Sequence, residues 1–82
     1  MEKEYSLVIR GSQRRKVVKA LNRPKIPTQI KEDTKLSLNN VSDVLRFLEK
    51  ANVVRCDNPE EKTGRVYKLT EKGMRIREEL LK

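Results

Sequence analysis

The stretch LSLNNVSDVLRFLEKANVVR, residues 36–55, decides the fold. Leu38, Val41, Leu45 and Leu48 recur at steps of three, four and three, the spacing of one helical face. Val44, Phe47 and Ala51 widen that face to about half of the helical wheel. The other half carries Asn39, Ser42, Asp43, Arg46, Glu49 and Lys50, with Asn40 at the border. Ser37 stands where its hydroxyl can satisfy an orphan amide of the first turn. Asn52 stands where a helix commonly ends in a left-handed residue, a conformation asparagine tolerates. The pattern predicts an amphipathic helix over about 38–51, apolar on one side and polar on the other.

Upstream of it, Pro27 suits the first position of a short helix over about 27–34, where its missing N–H removes no bond. Ile30 is the expected buried anchor of that helix, and Leu36 packs after it. An earlier helix is expected from Ser12, as N-cap, to Leu21, with Val17, Val18 and Leu21 inward; Asn22, Arg23 and Pro24 end it. Tyr5, Leu7 and Ile9 alternate loosely within residues 2–10, which suits a short strand, an extended arm or the lead-in to a helix.

Downstream, two short strands are expected over about 53–57 and 65–69, joined by the turn-rich segment 58–64. That segment is too long for a two-residue hairpin, so its tip should protrude. Tyr67 and Leu69 should point inward, facing Val54 and Cys56. Thr70 is placed to cap a last helix over about 71–82, with Met74, Ile76, Leu80 and Leu81 as its apolar residues. The whole reads as a mostly α, α+β fold: a winged helix-turn-helix with a three-helix core, a two- to three-stranded wing and a C-terminal helix. A single domain is expected over 1–82, with its core over about 10–75 and an N-terminal arm over 1–9.

Composition narrows the function. With 82 residues there is room for one domain. The formal net charge is +8. Its excess is concentrated at Arg10, Arg14, Arg15, Lys16, Lys19, Arg23, Lys25, Lys31 and Lys35, against Glu32 and Asp33 in the same span. A field of this sign attracts polyanions. Cys56 is the lone cysteine and there is no histidine, which argues against a soft-metal site within one subunit. Lack of histidine and of a glycine-rich phosphate loop argues against an enzyme, and the adjacent Glu60 and Glu61 are turn residues rather than a facing carboxylate pair. The charged start, Met1–Glu4, and the absence of an apolar run near the ~20 residues of a membrane span point to a cytoplasmic protein without membrane contact.

Three segments resemble those of known regulators. Residues 36–55 are similar to the DNA-reading helix segment of ArsR- and MarR-type transcription factors, Thr63–Gly73 to their wing strand and final-helix start, and Arg14–Leu21 to their first helix. The resemblance covers about residues 10–75 and is strongest to small archaeal-type members. It implies a DNA-binding transcriptional regulator that needs no cofactor and acts as a homodimer on double-stranded DNA; it points to no particular small-molecule effector. The helix over 38–51 would enter the major groove, with the wing on the backbone. The DNA-contact candidates are Asn39, Asn40, Ser42 and Arg46 on that helix, Lys31 and Lys35 at the turn before it, and Lys62 and Arg65 in the wing. Asparagine can pair with adenine, arginine with guanine, and lysine with phosphate. Arg14, Arg15, Lys16 and Lys19 could touch phosphates or simply solvate their helix. The sequence departs from the family pattern at Lys35 and Asn52, where glycine is usual, and at the acidic Asp43, Glu60 and Glu61. These acidic residues suit an alternative role, a winged-helix interaction module within a larger assembly.

Overall fold

The computed structural model describes residues 2–82. Its elements follow the order α1 (Glu2–Ile9), α2 (Ser12–Ala20), α3 (Pro27–Thr34), α4 (Leu38–Lys50), β1 (Val54–Cys56), β2 (Tyr67–Leu69) and α5 (Glu71–Leu80).

The N-terminal arm expected over 1–9 is a helix over its described part; Met1 lies outside the described residues. Val8 is fully buried and Tyr5 packs on the core edge three residues away, the spacing of helical neighbours. The end of α1 is held from α2. Arg14 donates to the Leu7 carbonyl at 2.8 Å, and Arg15 donates to that of Ile9. These are orphan carbonyls of a helix C-terminus, where cationic side chains are favoured. Arg14 also stacks over the Phe47 ring at 3.8 Å, linking α1, α2 and α4. Neither arginine is merely solvating its helix.

Ser12 is the first residue of α2 and not its cap; Gly11 takes that place, with no side-chain bond to the first turn. Helix α3 begins at Pro27 as expected, and the Gln29 side chain accepts from the Ile26 amide at 3.1 Å. It ends on Lys35 in the left-handed conformation, φ 64°, with the Lys35 amide bonded to the Lys31 carbonyl at 2.8 Å. Ser37 then caps α4, accepting from the Asn40 amide at 3.1 Å. Val41, Val44, Leu45 and Leu48 are buried along α4, but Leu38, expected in the apolar stripe, is 46% exposed. It occupies the first turn, on the side that faces the wing.

The left-handed residue expected just after α4 is Asn52, φ 62°. The Val53 amide bonds to the Leu48 carbonyl at 2.8 Å and the Asn52 amide to that of Glu49 at 3.0 Å. This is a Schellman motif, closed by the buried pair Val53 and Leu48. Strands β1 and β2 pair antiparallel, Val54 with Leu69 and Cys56 with Tyr67. A bridge between Lys25 and Tyr67 adds a one-residue third strand, with backbone bonds of 2.9 and 2.8 Å. The core joins Val8, Val17, Val18, Leu21, Ile30, the α4 stripe, Val53, Val54, Tyr67, Leu69 and Ile76. The final helix is shorter than expected, and Met74 and Leu81 are 56% and 54% exposed; Ile76 is fully buried and Leu80 packs at the core edge.

Lys25 is buried, and its ammonium meets the Asp33 carboxylate of α3 at 2.5 Å. A hydrogen bond from that ammonium holds the Asp33 carboxyl below its ordinary range. With the folded pKa below the unfolded one, the stabilisation is present above the unfolded value and is lost as pH falls through the folded one. Wild-type melting temperature should therefore fall as the solution is acidified below about pH 4. Asp33→Asn should melt lower than wild type at pH 7, and the two should converge in acid, as followed by circular dichroism.

Close approach of α5 to the start of β1 depends on Gly73. It is buried, and a Cβ there would stand 2.1 Å from the Val53 carbonyl oxygen. That oxygen is backbone and cannot swing aside. Gly73→Ala should destabilise the protein by about 1–3 kcal/mol or more, measured by urea unfolding.

Candidate nucleic-acid interface

The capped start and buried stripe of α4 fix which way its polar half faces. Asn39, Ser42, Asp43, Arg46 and Glu49 are exposed, while Asn40 is half-buried and its amide is engaged by the Ser37 cap. A groove of about 420 Å³ runs between this face, the start of α3 and the wing. Ser42 and Arg46 line one wall, and Lys62, Thr63, Gly64 and Arg65 the other; Thr28 and Leu38 are also on its surface.

The structure thus brings Ser42, Arg46, Lys62 and Arg65 into one groove. Asn39 and Asn40 are on α4 but do not line it, and Lys31 and Lys35 lie exposed in the last turn and cap of α3. Arg46 donates to Asp43 at 3.3 Å, with both side chains about 70% exposed (68% and 71%). An exposed pair of this kind is worth little, so Arg46 can turn to another acceptor at small cost. Arg65 is engaged differently. Its Nε donates to the Glu61 carbonyl at 2.6 Å and a terminal nitrogen to that of Pro59 at 3.0 Å. A hydrogen bond with the Tyr67 side chain raises its pKa above the ordinary value.

Leu38 and Thr28 are among the groove residues that the sequence did not single out. Leu38 belongs by spacing to the apolar stripe, and only the position of the wing shows that its side chain is left outside the core. Thr28 carried no signal beyond following Pro27 at a helix start. Exposed apolar and threonine side chains beside a groove of this kind are suited to thymine methyl contact.

Residues 15–82 match a family profile described as winged helix-turn-helix. The chain belongs to that family. Its fold is also that of MarR-type regulators. One solved MarR family transcription regulator superposes with a TM-score of 0.80 at 18% identity, covering 98% of this chain and 55% of that one. NadR, solved in complex with 4-hydroxyphenylacetate, superposes with a TM-score of 0.74 at 21% identity, covering 95% of this chain and 60% of that one. The winged helix-turn-helix chain therefore spans little more than half the length of these two structures. Comparison with curated proteins by sequence finds no match.

Lys35 offers a way to separate fold from contact. Left-handed backbone is costly for a residue with a Cβ and free for glycine, offset in part by the entropy glycine loses on folding. Lys35→Gly should leave the fold as stable or up to about 1 kcal/mol more stable. With the phosphate contact proposed below, it should also weaken duplex DNA binding at all sequences alike, which denaturation and fluorescence anisotropy would measure side by side.

Proposed function

We propose that this winged helix-turn-helix chain is the DNA-binding part of a transcriptional regulator, with α4 in the major groove and the wing against the backbone. The observation that carries the reading is the shared groove. Ser42 and Arg46 of α4 face Lys62 of the wing across it, and Lys31 and Lys35 add positive charge at the end of α3. Asn39, Ser42 and Arg46 are the base-reading candidates; Lys31, Lys35 and Lys62 are the phosphate candidates. Asn40 contributes through the helix start. No catalytic role is assigned. Among the described residues no group of histidine, cysteine, aspartate or glutamate is arranged to hold a metal ion. No described helix is long and apolar enough to cross a membrane.

One such helix reads only a few base pairs, so we propose a homodimer on paired half-sites. Exposed Met74 on α5 and Leu81 at its C-cap, together with Ile9 at the end of α1, support self-association. Asp43, Glu49, Glu60 and Glu61 favour the competing role of a protein-docking module, because carboxylates beside DNA are repelled by phosphate.

A salt titration of duplex binding tests both statements. Two copies making roughly four to eight phosphate contacts should give a log–log slope of about −4 to −7, and a single copy about half of that. Undetectable binding to random duplex at low salt would reject the DNA reading in favour of the docking module. A slope near −2 to −4 with one copy per site would reject the dimer alone.

A further inference from the structure

The wing is tied together by two side chains. Asn58 stands at its entry. Its Oδ1 accepts from the Val66 amide at 2.7 Å, and its Nδ2 donates to the Gly64 carbonyl at 3.2 Å, so one side chain spans the base of the loop. The Cys56 thiol donates to the same Oδ1 at 3.5 Å, placing Asn58 against β1. Arg65 stands at the exit. Its guanidinium reaches back across the loop to the carbonyls of Glu61 and Pro59, through two donors whose directions are fixed by its planar geometry. The backbone closes the same ring, with Asp57 donating to Val66 at 2.9 Å and Glu61 to Asn58 at 3.0 Å. Gly64, φ 67°, supplies the left-handed turn that lets the chain fold back. Between the anchored points Glu61 and Gly64 lie Lys62 and Thr63, at the apex and on the groove wall opposite Arg46.

We infer that Asn58 and Arg65 are positioning residues that hold the wing in one shape, and that Arg65 acts on DNA by presenting Lys62 rather than by touching phosphate itself. The inference rests on the DNA-binding reading above. Its physical basis is preorganisation: a loop already fixed in the free protein loses little further freedom on binding. A direct phosphate contact needs only a cation, which lysine can supply at the same place. A two-carbonyl strut needs the guanidinium fork, which lysine lacks.

The test compares Arg65→Lys, Arg65→Gln, Asn58→Ala and Lys62→Ala in duplex affinity, in salt slope, and in hydrogen exchange of the Val66 amide in the free protein. As positioning residues, Arg65→Lys and Asn58→Ala should each lower affinity about three- to tenfold. They should leave the slope unchanged and speed Val66 exchange while core amides such as Leu45 keep their protection. Lys62→Ala should instead reduce the slope by about 1 and leave Val66 exchange alone. Wild-type affinity in Arg65→Lys, with a slope reduced by about 1 in Arg65→Gln, would make Arg65 a phosphate contact and overturn the inference. If the wild type binds no duplex at all, the functional reading fails separately. Val66 exchange then decides the loop: faster in Arg65→Lys upholds the strut, unchanged overturns it.

Discussion

The junction between α4, β1 and α5 is the constraint on which the rest of the arrangement depends. The Val53 carbonyl accepts from the Thr70 amide at 3.0 Å and from the Thr70 hydroxyl at 3.2 Å, and that hydroxyl reaches the Asn52 carbonyl at 2.7 Å. The same hydroxyl oxygen accepts from the Gly73 amide at 3.1 Å and so caps α5. One threonine thus joins the end of α4 to the start of α5, and Gly73 permits the contact because it has no Cβ. The direction in which β1 leaves α4, and hence where the wing stands relative to the groove-facing side chains of α4, follows from this knot. In a domain of this size, where only about 60% of the unfolded surface is buried, such polar fixation complements a small aliphatic core.

Charge is distributed less simply than the total suggests. Several of the basic residues are engaged inside the fold. Arg14 and Arg15 hold the end of α1, Lys25 is buried against Asp33, and Arg77 donates to the Lys19 carbonyl at 3.0 Å. In the wing, Arg65 is engaged by its own loop. The positive field that favours polyanions persists, because a cation bonded to a neutral carbonyl keeps its charge. Fewer side chains are free to reach a phosphate than the sequence count implies, and those on the groove and at the α3–α4 turn gain weight accordingly.

Similarity to the two solved structures lies in the backbone arrangement, at identities near 20%. A fold can persist at that level because it asks for patterned burial, caps and turns, whereas recognition depends on particular exposed side chains. The departures at Lys35 and Asn52 show the difference. Both adopt the left-handed conformation that glycine would adopt more freely, and the chain turns there all the same.

The sequence by itself determined the order of elements from α2 onward, the caps at Ser37 and Thr70, the proline start of α3, the left-handed end of α4, and the buried anchors Ile30, Val41, Leu45 and Leu48. Each is set by local backbone chemistry or by periodicity within one element, and both are legible along the chain. Tertiary structure alone decided that residues 2–9 are helical, because Arg14 and Arg15 meet the carbonyls of Leu7 and Ile9 only once α1 lies against α2. It decided that Leu38 faces the groove, since helical spacing says which residues share a face but not how far the neighbouring elements cover it. It also decided that Lys25 is buried and that Arg65 bonds to its own loop. A lysine or arginine in sequence declares only a charge on a flexible stem, and which acceptor it meets depends on where the folded chain brings a carboxylate or a carbonyl within reach.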